Sequence, residues 1–244
     1  MIWHHPLPLL GAVGVNVMLG NILGDLLYFQ SLSDIGVSRA AAITSTYPLV
    51  AAGISAFWLK EPLTMPLILG TASIVGGLIL LRLEGTSAGS QARAHPVRGF
   101  LWALMAGVFW GMGIPITKWL VASQQVPPST VNLWRSLVLL LFSGALWLWP
   151  RRGTPLGSRF RRLGTIPPAR WVTILASGGV SLGVAGFIFI SVLRFAPASM
   201  VTPLTSVNPL LSTLFAVCFM GERLRRIQWI GSVLVVMGSA AVGM

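Results

Sequence analysis

The chain has 244 residues, 55% of them hydrophobic and only 9% charged, and its 17 Lys and Arg against 5 Asp and Glu leave a net charge of +12. A soluble domain carries about 25% charged residues, so this chain has too few to cover a water-facing surface. The composition argues against a soluble enzyme, a nucleic-acid-binding domain and a disordered chain, and for an all-α polytopic membrane protein.

A membrane helix needs about 20 mainly apolar residues, and the chain offers eight such runs. The first, 7–31, follows a polar start with His4 and His5, read as a solvated terminus or a metal-binding pair. It lacks a basic beginning, which argues against cleavage as a signal peptide. Ser33-Asp34 separates it from 37–59, and Lys60-Glu61-Pro62 separates that from 65–83. The segment 84–96 is the most polar and flexible, so it is the expected boundary between a first half, 1–83, and a second, 97–244. Runs 97–120 and 129–149 follow, split by Val126-Pro127-Pro128. After the Arg-rich stretch 151–170 come 171–194, 198–220 and 227–243. Strands of a membrane barrel would be about ten residues long and alternating, and these runs are neither.

The basic residues give the orientation. Thirteen of the 17 fall after odd-numbered runs, three on the other side, and Arg135 lies inside a run. The positive-inside rule then places segments 82–98, 151–170 and 221–226 in the cytoplasm and both termini outside, in a bacterial plasma membrane. The loop 151–162 reads as topogenic and lipid-facing, with nucleic acid or anionic lipid as the alternative. Trp147, Trp149, Trp171 and Trp229 read as interface anchors. Cys218 is expected to be a buried, inert thiol, and a single cysteine permits no intrachain disulfide.

The chain also contains a repeat. Laying 24–78 over 185–239 matches Ser38/Ser199, Thr44/Thr205, Ser45/Ser206, Pro48/Pro209, Glu61/Glu222, Gly70/Gly231 and Gly77/Gly238 among eleven identities. The offset spans five runs, an odd number, so the two copies face opposite ways. Inverted repeats of this kind mark many secondary transporters. The second copy has two runs that the first lacks, giving 3+5 of an expected 5+5 and suggesting a truncated start.

Few residues carry chemistry. Asp25 lies about 9 Å deep by helical rise, where an acid costs about 2.5–3.5 kcal/mol and faces a cavity or partner. It either carries a proton or meets a cationic group, or is structural, bonded to Asn21 or Tyr28. Arg135 lies near the opposite face, so no ion pair with Asp25 is expected; it binds backbone carbonyls or an anionic substrate group. Lys118, at a helix end, is expected to snorkel to the interface. Pro48 and Pro209 remove helix bonds to the carbonyls of Thr44 and Thr205, beside the hydroxyls of Ser45 and Ser206. The result is either a hinge at a midplane cavity, with Tyr47 and Asn208 adding contacts, or a bend for packing. Glu61 and Glu222 are expected to cap the helix that follows each. Gly107-x-x-x-Gly111 is expected to serve packing within the chain, with a dimer contact as the alternative. No residues suggest a metal site, a phosphate loop or a nucleophile with its base, so neither cofactor nor enzymatic activity is expected.

Trp110-Gly111 with Lys118, then Arg135, then the two copies of Thr-Ser-x-x-Pro each followed by a Glu, resemble the drug/metabolite transporter superfamily in its EamA-like branch. The copies are Thr44 to Pro48 with Glu61, and Thr205 to Pro209 with Glu222. The resemblance covers nearly the whole chain. It implies a ten-helix carrier of small metabolites, amino acids or drugs, from which this chain departs by lacking two helices and by its outward termini. Asp25, Tyr28, Thr44, Ser45, Tyr47, Pro48, Trp110, Arg135, Thr205, Ser206, Asn208 and Pro209 are the candidate substrate or coupling residues. A passive channel or facilitator, a membrane-embedded enzyme, and an inactive fragment or accessory subunit are the rival readings. The expected partners are a small-molecule substrate and the bilayer, with no nucleic acid; the oligomeric state is unknown.

Overall fold

The computed structural model describes residues 7–83, 95–148, 167–220 and 226–243. Most of the linker 84–96, the Arg-rich stretch through residue 166, Glu222, Trp149 and the His4-His5 pair lie outside them. Among the described residues the secondary structure is helical, with no strand. Apolar runs adopt helices because a helix satisfies its own backbone N–H and C=O groups where no water can.

Helix α1 (Leu7–Asn16) runs through a wide π-helical turn, Val17–Leu23, into α2 (Gly24–Ile35). Two short helices follow, α3 (Val37–Thr44) and α4 (Tyr47–Trp58), then α5 (Met65–Leu83). Helix α6 (Pro96–Lys118) extends into a second wide turn, Trp119–Ser123, and α7 (Pro128–Leu148) comes next. Helix α8 (Pro168–Gly178) passes through a third wide turn, Gly179–Ala185, into α9 (Gly186–Phe195). Helices α10 (Ala198–Thr205), α11 (Asn208–Met220) and α12 (Arg226–Val242) are the last of the described elements. Among the described residues, four helical stretches are long and apolar enough to cross a membrane: 8–35, 39–58 with a turn at 45–46, 96–123 and 170–195; Met65–Leu81 and Arg226–Val242 are shorter apolar helices. Leu141, Phe195 and Phe219 stand 71%, 83% and 75% exposed, a surface suited to lipid and too apolar for water.

Three expectations are corrected. Ser33-Asp34 does not end the first run, because Asp34 accepts hydrogen bonds from Nε and Nη2 of Arg98, both at 3.0 Å. Its charge is thereby neutralised and α2 continues to Ile35. The run 37–59 is broken rather than kinked. Its first helix ends at Thr44 and a new one starts at Tyr47 with Pro48 in its first turn, where a missing N–H costs nothing. Cys218 is exposed, not buried; an apolar run says only that a residue avoids water, and lipid meets that need as well as a core does.

The packing has a crosswise pattern. Helices α5 and α12 lie against each other through four glycines. A Cβ on Gly70 would stand 2.7 Å from the carbonyl oxygen of Gly238, and one on Gly231 2.7 Å from that of Gly77. Ile74, Leu78 and Val235 fill the buried space between them. A second core joins Val13, Val17 and Ile22 to Leu120, Val121, Ile190 and Leu193. Helix α6 covers α2, α3 and α4. Gly107 rests against Thr44, and a Cβ on Gly111 would come 2.8 Å from the carbonyl oxygen of Tyr47. The Gly107-x-x-x-Gly111 stripe therefore packs within the chain. Asn16 Nδ2 ties α1 to α6 in turn by donating to Thr117 Oγ1 at 2.8 Å.

The helix boundaries repeat in the alignment of 24–78 with 185–239. Both ends of α10, Ala198 and Thr205, are the counterparts of Val37 and Thr44, the ends of α3. Helix α11 starts at Asn208, the counterpart of Tyr47 that opens α4, and α12 starts at Arg226, the counterpart of Met65 that opens α5. The wide turn before α9 lies a single position off that register from the one before α2.

Candidate functional site

Two polar clusters follow the wide turns that precede α2 and α9. Such turns displace the backbone by a residue and recur at functional sites. The first cluster forms around Asp25, the second residue of α2. Its Oδ1 accepts a hydrogen bond from Trp110 Nε1 of α6 at 3.0 Å. Residue 24 has to be glycine for this approach, since a Cβ there would lie 2.6 Å from the indole ring. Tyr28, one turn along α2, stacks at a tilt on Trp110 with ring centroids 5.2 Å apart, and Tyr47 of α4 meets it edge-on at 6.4 Å. Asp25, Tyr28, Tyr47 and Trp110 thus come together from three helices. The partner of Asp25 is neither Asn21 nor Tyr28; the helix aims its side chain across to α6. A carboxylate beside aromatic faces suits a proton or a cation.

The second cluster forms around Arg135 of α7. Its Nη2 reaches the Leu182 carbonyl in the third wide turn at 3.4 Å, and Asn132, one turn earlier on α7, donates from Nδ2 to Gly183 O at 3.1 Å. Arg135 Nε and Asn132 Oδ1 are buried without a partner. Gly186 opens α9 at the same point, and a methyl group there would run into the guanidinium and Asn132 Oδ1. Arg135, Ser181, Gly186, Thr205, Asn208 and Ser239 line an open cavity of about 590 Å³. Asn132 is not among the residues the sequence singles out; its i, i+3 spacing from Arg135 is the signal that points to it.

The hydroxyls at the helix breaks divide. Thr44, Ser45 and Ser206 are buried and donate to carbonyls of their own preceding turn: Thr44 to Ala40 O at 3.0 Å, Ser45 to Ala41 O at 2.8 Å, Ser206 to Pro203 O at 2.7 Å. Thr205 also donates to its own helix, at 3.0 Å to Val201 O, yet it is exposed on the cavity wall. The difference from Thr44 is that α6 covers the first break, whereas the second is open. Pro48 is buried in the first turn of α4, and Pro209 occupies the second position of α11.

Two further expectations change at one end of the bundle. Glu61 does not cap the helix after it, because α5 begins only at Met65 and Lys60 turns the chain with φ 58°. Its two carboxylate oxygens instead accept from Ala198 N at 2.8 Å and Ser199 N at 2.9 Å, capping α10. Lys118 does not snorkel outward; its Nζ donates to Ala196 O at 2.9 Å, one of the carbonyls a helix end leaves unpaired. Among the described residues, no three His, Cys, Asp or Glu side chains gather as a metal site.

A family model described as the EamA-like transporter family matches residues 2–83 and 97–244. An uncharacterized transporter from the cobO 3' region of Sinorhizobium sp is 25% identical over 138 residues, covering 57% of this chain and 91% of that protein. The uncharacterized transporter YwfM of Bacillus subtilis (strain 168) is 27% identical over 213 residues, 87% of this chain and 66% of its own length. YxxF of the same organism, another uncharacterized transporter, is 18% identical over 87% of this chain and 63% of its own length. The chain thus spans just under two thirds of these two Bacillus proteins. A solved crystal structure superposes with a TM-score of 0.76 at 21% identity, covering 98% of this chain and 77% of the other, which shows a shared fold.

Proposed function

The chain belongs to the EamA-like transporter family, and from that premise we propose that it is a multi-pass secondary transporter of a small organic metabolite, working by alternating access between two inverted halves. The halves are 1–83 and 97–244, joined by 84–96, and together they supply eight spans in a 3+5 arrangement. The observation that carries the reading is the crosswise glycine contact. Exchanging each residue with its counterpart in the aligned copy turns the Gly70–Gly238 contact into Gly231–Gly77. A pair of contacts that exchange with each other in this way is what a twofold axis produces. The order of the contacts along the two helices makes them antiparallel, as equivalent helices of inverted copies must be. The matched helix breaks at 45–46 and 206–207 support the same reading, since carriers of this architecture bind substrate at interrupted helices.

The two clusters fit the scheme. Position 25 corresponds to position 186 under the same exchange: Asp25 in the first half meets Trp110 of the second, and Gly186 in the second half packs against Arg135 of that same half. Asp25 is the proposed coupling acid. The Arg-rich segments 82–98, 151–170 and 221–226 face the cytoplasm of a bacterial inner membrane and both termini face out, on the strength of the 13-to-3 distribution of Lys and Arg.

The test is uptake into proteoliposomes with an imposed pH gradient, using a panel of amino acids and organic acids. The wild type should show saturable, gradient-dependent uptake of at least one. Asp25→Asn keeps an oxygen for the Trp110 indole N–H but cannot ionise, so its uptake should no longer respond to the gradient. Full proton-driven transport by that variant would overturn the coupling role. Linear, gradient-independent flux in the wild type would overturn the carrier reading.

A further inference from the structure

We propose that the cavity beside Arg135 binds the carboxylate of a small organic acid that carries an apolar body and a hydrogen-bond donor. The inference rests on the transport reading, to which it adds a substrate class. Arginine keeps its charge under all ordinary conditions and presents five N–H donors in a planar fork that matches a carboxylate. Arg135 uses that fork poorly in this structure. Its hydrogen bond to Leu182 O is 3.4 Å long, beyond the usual 2.7–3.2 Å range, and its Nε has no partner.

Nor does an acid of the protein neutralise it among the described residues. Asp25 is held by Trp110, Asp34 by Arg98, and Glu61 by the N–H groups of Ala198 and Ser199. A cation in a membrane interior without a counter-charge is costly, and one that borders a cavity can take its counter-charge from a solute.

The rest of the wall defines that solute. The cavity of about 590 Å³ lies within the range of about 300–1,000 Å³ typical of small-molecule pockets. Phe189, Leu204 and Leu211 supply an apolar side. The hydroxyl protons of Thr205 and Ser239 are engaged by Val201 O and Val235 O. What these two oxygens present to a ligand is lone pairs, which ask for an N–H or O–H. A hydroxy or amino acid with a hydrocarbon side chain meets all three demands.

The experiment uses the full chain purified in detergent. Equilibrium binding is measured for 2-hydroxyisocaproate, mandelate and leucine, each beside its amide, and for isocaproate, which lacks the hydroxyl. The wild type should bind at least one acid tenfold or more tightly than its amide, a comparison that needs no variant. Arg135→Gln should abolish that preference, and Arg135→Lys should restore part of it. Thr205→Val should weaken a hydroxy acid severalfold while leaving isocaproate unchanged. Equal binding of every acid and its amide by the wild type would overturn the proposal, as would no binding of any acid, or unchanged acid binding by a folded Arg135→Gln protein. The two readings fail separately. Acid binding without saturable uptake in proteoliposomes would refute the carrier and keep the site. Saturable uptake of a neutral or cationic solute that ignores Arg135→Gln would do the reverse.

Discussion

Gly76 and Gly77 are neighbours in α5, and the structure assigns them opposite responses to the same added methyl group. A Cβ on Gly77 would stand 2.5 Å from the carbonyl oxygen of Gly231 and 2.9 Å from the backbone nitrogen of Val235. Both obstacles are backbone, so the helices must separate, and overpacking of this kind costs about 1–3 kcal/mol. A Cβ on Gly76 meets nothing within 4 Å, and alanine is the better helix former by about 0.5–1 kcal/mol. For a chain of this size each kcal/mol moves the thermal midpoint by about 2–4 °C. At a cost of about 2 kcal/mol, Gly77→Ala should therefore lower the midpoint of the detergent-solubilised protein by about 4–8 °C. Gly76→Ala should leave it level or raise it by a few degrees. The proposed pseudo-twofold adds a second condition. Gly231→Ala meets the Gly77 carbonyl at 2.7 Å and should be destabilising too. Equal midpoints for the Gly76 and Gly77 variants would refute the close approach of α5 to α12, and with it the crosswise contact that supports the proposed inverted repeat.

Three other outcomes follow from the same contacts. Glu61→Gln retains only one acceptor for the two N–H groups of Ala198 and Ser199; it should cost about 1–2 kcal/mol, read as a lower thermal midpoint. Arg98→Ala alone takes the guanidinium from the Asp34 carboxylate. It should lower the thermal midpoint further than Arg98→Ala combined with Asp34→Asn, which removes the charge as well. Gly24→Ala would push the Trp110 ring off Asp25, so the intrinsic fluorescence spectrum should shift while Gly14→Ala, which faces open space, leaves it unchanged.

The sequence by itself determined that the chain is helical and belongs in a membrane, because both depend on composition along a segment. Low charge and long apolar runs suffice for that, but not to show that the runs 37–59 and 198–220 each divide into two helices. The sequence also offered a register for the proposed repeat, through matched Pro, Glu, Thr-Ser and Gly positions. What it could not reveal is which face of each helix meets which neighbour. In water an amphipathic stripe marks the buried face, but lipid accepts an apolar face as readily as a core does, so the periodicity that orients a soluble helix is lost. Cys218, apolar in its surroundings yet exposed, shows that loss directly. The tertiary structure alone decided that Glu61 caps α10 rather than its own neighbour and that Asp34 pairs with Arg98. It also decided that Thr44 is covered while its counterpart Thr205 lines a cavity. The first two are contacts between residues far apart in the chain, and polar groups inside a membrane seek whatever donor or acceptor packing brings within reach. Asp25 and Arg135 stand out as costly charges in the sequence; only the fold shows that one has an indole to hold it and the other opens onto a cavity.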